Sequence, residues 1–181
     1  MGEKKLNESY YEGLHRKVEK YHYTIMSVVS DQAESENHAA YCYTIGLSNY
    51  GYPEIMFADC YYDDVITITD LIVEQIASGA PFNKKQVVEI KSGSFKAIEL
   101  LDGVKEEISA QAAHYFELYR PQRPNYNLIY FGKADQFGLF PDEKIFCESK
   151  HIKQIFYKQV LTQGMNHGRT NLVMPESLTM Q

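Results

Sequence analysis

No tryptophan occurs in this sequence, and cysteine is limited to three residues. So few thiols, odd in number, do not build the disulfide framework by which small secreted domains compensate for a thin core. With no secretory leader and no long apolar run, the expectation is a reducing, cytoplasmic setting without a membrane partner. Basic residues are also scarce: 18 Lys and Arg stand against 24 Asp and Glu, a net charge of −6. That balance repels polyanions, so nucleic acid is not an expected partner. There is no C-x-x-C or H-E-x-x-H, and no phosphate-loop or dinucleotide fingerprint. Internal repeats and low-complexity stretches are absent too, so nothing calls for a cofactor or a resident metal.

What is present is an ordered composition, 44% apolar and 23% charged, over 181 residues. That length is enough for one self-sufficient core, so a single domain over 1–181 is expected. Tyrosine is abundant, with 15 Tyr beside 9 Phe. A ring with a polar tip serves cores and contact surfaces alike.

The stretch from His38 to Cys60 organises the pattern. Tyr41, Tyr43 and Ile45 alternate with Cys42 and Thr44 as a strand requires. Ser48 to Pro53 carries turn residues, and Glu54 to Asp59 resumes as a second strand. These two runs read as a hairpin. Ahead of them, residues 1 to 6 are polar and expected to be loose. Asn7 or Ser9 caps a helix to about Tyr21 with Tyr10, Leu14 and Val18 inward, and His22 to Val29 reads as a strand. The acidic loop from Asp31 to Asn37 lacks calcium-loop spacing and reads as a solvated turn. After the hairpin, Asp63 or Asp64 caps a helix to about Ser78, stopped by Gly79. Gln86 to Lys91 and Ser94 to Leu100 form a second hairpin about Ser92-Gly93. Val104 to Tyr119 is a helix, Leu128 to Phe131 a short strand, and Ser149 to Gln163 a last helix before a tail, the C-terminal part running over 149–181. The architecture predicted is α+β: a mainly antiparallel sheet of about five to seven strands under three or four helices.

The residues Tyr43-Thr44-Ile45-Gly46-Leu47 followed by Gly51-Tyr52-Pro53-Glu54-Ile55 resemble the signature of a bacterial family, domain of unknown function 4262. Fainter similarity at Ile76 to Gly79 and Gly138 to Pro141 extends the resemblance over about residues 20–145. It implies a bacterial α+β domain and carries no activity with it. Tyr52 stands where that family usually has His, a departure that weakens a proton-transfer or metal-binding role at this position.

Several constellations bear chemistry. Cys147 and His151, at i and i+4, give two zinc ligands of the four that a closed site needs. Cys42, Cys60 and Cys147 are possible nucleophiles with His38 or His114 as base, although Cys42 and Cys60 sit in apolar strands where a thiol is ordinarily a small hydrophobe. Asp63, Asp64 and Asp70 read as helix cap and helix face. An anion site would draw on Arg120 and Arg123, in a proline-stiffened loop, with His167 and Arg169 in a glycine-containing segment. A contact surface would draw on Tyr50, Tyr52, Tyr61 and Tyr62. Two functions follow as expectations: a cytoplasmic interaction or regulatory module that binds another protein or itself as a homodimer, or a small enzyme or binder of an anionic, nucleotide-like or phosphorylated molecule.

Overall fold

A computed structural model describes residues 2–28, 37–100, 105, 108–122 and 125–143, with side chains from residue 9 onward. Its first element, α1 (Gly2–Tyr21), begins well before the expected cap at Asn7, so the opening residues are helical rather than loose. Glu, Lys and Leu, which make up most of residues 3–6, are strong helix formers and need no cap at Asn7 to start the helix. Leu14 and Val18 are buried as their spacing requires, joined by Tyr11, while Tyr10 is 43% exposed.

Six strands follow in one sheet: β1 (Thr24–Val28), β2 (His38–Ile45), β3 (Glu54–Tyr61), β4 (Val87–Ile90), β5 (Gly93–Glu99) and β6 (Leu128–Lys133), in spatial order β1-β2-β3-β6-β5-β4. Every neighbouring pair is antiparallel except β3 and β6, which run parallel with Met56 opposite Tyr130. Both hairpins therefore form where the apolar runs place them. The chain leaves β3 directly into α2 (Tyr62–Ala77) and enters β6 after α3 (Ala110–Tyr119). Asp63 and Asp64 lie inside the first turn of α2 rather than capping it, because β3 runs into the helix at Tyr61 with no intervening loop. Two carboxylates there still favour the positive end of the helix dipole. At the other end Gly79, at φ +72°, closes α2 with a Schellman pair, Gly79 N–H to Ile76 C=O and Ala80 N–H to Gln75 C=O.

Both faces of the sheet are covered. On one, Leu14 and Val18 of α1 and Ala112, Tyr115 and Phe116 of α3 pack on Tyr43, Ile45, Met56, Leu128 and Tyr130. On the other, Val65, Ile68 and Ile72 of α2 pack on Cys42, Ile55, Phe57, Phe95, Ile129 and Phe131. Alternate residues of β2, β3 and β6 thus serve opposite cores, which is why these strands read as nearly unbroken apolar runs. The alternation slips where β2 and β3 pass Asp59: on β2, Ala39 faces the second core although Tyr41 packs on the first. Ala58 faces the first core and Cys60, two residues on, the second, because Asp59 between them adopts a left-handed backbone at φ 51°.

Candidate functional site

The connection between β2 and β3 is built around one carboxylate. Glu54 opens β3 with no exposed surface, in a position where an ionised side chain must be matched by donors. It receives five. Thr44 Oγ1 donates at 2.7 Å, the backbone N–H groups of Gly46, Leu47 and Ser48 at 3.0, 3.3 and 2.9 Å, and Ser48 Oγ at 2.8 Å. The three amides are presented by a short 3-10 turn, Leu47–Tyr50, whose first N–H groups have no partner within the turn. Thr44 Oγ1 in turn accepts from Ile55 N–H at 2.9 Å. Gly46 is required at the corner. Its φ is +125°, and a Cβ there would lie 2.6 Å from the His22 carbonyl oxygen.

Arg120, just past the end of α3, reaches this turn. Its Nη1 donates to Ser48 Oγ at 3.3 Å, and its guanidinium lies 5.6 Å from the centre of the Phe116 ring. Arg120, Ser48 and Glu54 therefore form a relay in which a cation faces a buried anion through one hydroxyl. Of the five guanidinium N–H groups, one is used by the described residues. Beside it Tyr115 is buried, and burial, reinforced by the nearby Glu19 and Glu54 charges, pushes its phenol up to about 12.

Two cavities border this relay. One, of about 370 Å³, is lined by Tyr119, Arg120, Pro121 and Gln122. The other, of about 620 Å³, is bounded by the turn, the end of α2 and the approach to β6. Ser48, Tyr52, Phe82, Lys84, Asn125 and Asn127 are among its lining residues. Tyr52 and Phe82 meet edge to face at 6.4 Å, and the Tyr52 hydroxyl donates to the Ala80 carbonyl. Lys84 is ion-paired with Glu99 at 2.5 Å on the surface. Tyr52, where the resembled family has His, is thus a wall of this cleft.

The opposite end of β3 holds a different polar cluster. His38 Nε2 lies 3.1 Å from Asp59 Oδ1, and the His38 ring meets Tyr61 edge to face at 5.0 Å. Asp64 accepts from Ser92 Oγ at 2.5 Å and Lys133 Nζ at 3.4 Å, tying α2 to the second hairpin and to β6. Neither expected base is set against a thiol by these pairings: His38 serves Asp59, and His114 lies 3.7 Å from Glu117 on an exposed helix face. Cys42 and Cys60 are buried, and the Cys60 thiol donates to Cys42, which raises the pKa of Cys60 and lowers that of Cys42. Asp70 accepts from Tyr23 at 3.2 Å, a helix-face contact.

Of the residues marked for an anion site, Arg120 stands at the hairpin turn, while Arg123, His167 and Arg169 lie outside the described residues, as do Cys147, His151, residues 31–36 of the acidic loop and the last helix. The four tyrosines of the expected contact surface divide between the two ends of β3. Tyr50 ends the turn and Tyr52 follows it, whereas Tyr61 closes the eight-residue strand and Tyr62 opens α2, roughly 25 Å away at ~3.3 Å per residue. Sequence reading placed Glu54 in the right strand without its role. The signal was present, a carboxylate inside the otherwise apolar run Ile55 to Ala58 and its preceding turn. Among the described residues no group of three or more His, Cys, Asp or Glu is arranged to hold a metal ion, and no helix is long and apolar enough to cross a membrane. Comparison with protein-family models, with curated proteins and with solved structures finds no match to this chain.

Proposed function

We propose that this chain binds a small anionic molecule, phosphorylated or nucleotide-like, at the two cavities that border the Arg120–Ser48 contact. The observation that carries this reading is Arg120: a guanidinium fixed by Ser48 and Phe116 at the rim of a cavity, with most of its donors unspent among the described residues. Such a fork grips a phosphate or carboxylate through two parallel hydrogen bonds. The Tyr52 and Phe82 rings, set edge to face, offer an aromatic corner, and Asn125 and Asn127 offer donors and acceptors for a heterocycle. A net charge of −6 favours a small anion over a polymer. The reading includes a cytoplasmic location and a bacterial relationship to domain of unknown function 4262, both resting on the sequence features that suggested them.

Calorimetric titration with inorganic phosphate, AMP and ATP tests it. At least one probe should bind, more weakly as salt rises, and Arg120→Lys should weaken it about tenfold by removing the bidentate fork while keeping the charge that faces Glu54. Absence of binding by every probe, or unchanged affinity in Arg120→Lys, overturns it. A second reading, self-association or binding of another protein, is favoured by the exposure of Tyr50 (47%) and Tyr61 (42%). Sedimentation that shows a monomer at all concentrations, with Tyr50→Ala and Tyr61→Ala indistinguishable from the parent, counts against it.

A further inference from the structure

Beside the hairpin turn, on the side away from Arg120, lies a slot of about 320 Å³ that shares no lining residue with either cavity above. Its floor is Leu47 from the turn and Val73, Ile76 and Ala77 from the last turns of α2, and its walls are the rings of His22, Tyr23 and Tyr50. Each ring is held from outside. Tyr23 donates to Asp70 Oδ1 at 3.2 Å, and the Tyr50 hydroxyl lies 2.6 Å from His22 Nδ1 with the two rings edge to face at 5.5 Å.

His22 is positioned at a backbone cost. It takes φ 70°, which a side chain with a Cβ seldom adopts, and its carbonyl is admitted against Gly46 only because Gly46 has no side chain. Strain of that kind persists where the surrounding structure fixes it, and here it points an imidazole at the mouth of an apolar slot. The described lining supplies no charged group and no carboxylate, so a polar or charged occupant would lose its hydration without return. An apolar cavity of about 150 Å³ already accepts benzene, so roughly twice that volume holds one substituted ring. The walls favour an aromatic occupant through edge-to-face contacts. Apart from the tyrosine hydroxyls, its polar feature is an imidazole that already pairs with a phenol, that of Tyr50, which is 47% exposed and so placed to swing outward.

We propose that this slot binds a small phenol-type molecule, one aromatic ring with one hydroxyl, with the ring between Tyr23 and Ile76 and the hydroxyl on His22 in place of the Tyr50 hydroxyl. The inference is independent of the anion site and stands or falls without it.

The test is a titration of the whole chain with p-cresol, with toluene as the probe lacking the hydroxyl, followed by backbone amide shifts. An eight-atom ligand in such a slot has a Kd of about 0.1–1 mM. The expected result is a saturable shift of the His22, Tyr23, Leu47 to Tyr50 and Val73 to Ala77 amides, with toluene at least about fivefold weaker. Ala77→Phe, at an exposed position of the floor, fills the slot and removes binding, while melting within a few degrees of the parent. Should that variant unfold, Tyr50→Phe supplies the same judgement: it leaves the slot open and frees His22 Nδ1, so p-cresol binds as well or better. No saturable shift, shifts centred elsewhere, binding retained in a folded Ala77→Phe, or toluene binding as well as p-cresol each overturns the proposal. Tighter binding of N-acetyltyrosinamide than of p-cresol overturns it too, by assigning the slot to a partner's tyrosine.

Discussion

Replacing Glu54 by Ala removes the acceptor on which the β2–β3 connection closes. Of the five donors that converge on it, Thr44 Oγ1 and the Gly46 and Leu47 amides lie in fully buried contacts, and the two from Ser48 are half-buried. A buried donor left without a partner costs roughly 1–1.5 kcal/mol net at the lower end of the range, and the Ser48 pair can turn to water. The variant is therefore expected to lose about 4 kcal/mol, with Arg120 also left facing no anion. In a chain of this size that lowers the melting temperature by about 8–16 °C. Glu54→Gln separates charge from shape. Its Oε1 can still accept from Gly46 and Ser48, and its amide can donate to Thr44 Oγ1, so mainly the Leu47 N–H loses its acceptor and the cost falls to about 2 kcal/mol. Urea unfolding followed by far-UV circular dichroism measures both, with the slope required to match the parent so that the midpoints report stability. A loss below about 1 kcal/mol for Glu54→Ala would refute the account, since it would mean that water satisfies these donors as well as the carboxylate does.

Gly46→Ala places a Cβ 2.6 Å from the His22 carbonyl in a backbone conformation that alanine disfavours, and should cost about 3 kcal/mol or more in the same urea assay, whereas the helical Gly13, where an added Cβ meets nothing within 4 Å, should accept Ala with a gain of up to about 1 kcal/mol. Tyr130 is buried with a hydroxyl that has no hydrogen-bond partner among the described residues, so Tyr130→Phe should be neutral or stabilising within about 1 kcal/mol; a loss above 2 kcal/mol would show that the hydroxyl is bonded. Burial raises the phenols of Tyr43, Tyr115 and Tyr130, that of Tyr115 from 10.0 to about 12. Below pH 10 both states hold these protons and stability is complete; between pH 10 and about 12 the unfolded chain releases them while the fold retains them, so stability should fall, with tyrosinate absorbance rising together with unfolding rather than before it. The thiols of Cys42 and Cys60, 0% and 4% exposed, should react with a disulfide reagent only as the protein unfolds.

The elements of this fold were legible wherever a single physical preference dominated. Tyr41, Tyr43 and Ile45 alternate in an antiparallel pair because residues two apart share a face, and Gly79 stops α2 because its backbone turns left-handed there. What stayed hidden depended on distant partners. The parallel pairing of β3 with β6 joins strands about seventy residues apart, and no local periodicity encodes which strand lies beside which. Asp59 reads as one more strand residue, yet it breaks the alternation; its left-handed backbone and its pairing with His38 become visible only when β2 is laid beside it. Glu54 is the clearest case. A carboxylate beginning an apolar strand looks like an exposed end of that strand, because its cost of burial is visible in the sequence and its five donors are not. Three of those donors are backbone amides, which every residue but proline carries and no composition reveals. Arg120 reads in the sequence as a cation in a stiff loop, and the structure adds the reason for its place: it faces the buried Glu54 through the Ser48 hydroxyl. The same contact makes the functional proposal discriminating. If Arg120 served Glu54 alone, Arg120→Lys would change stability and no ligand affinity; a site that uses the guanidinium fork loses affinity at constant stability, and the two outcomes separate in one variant.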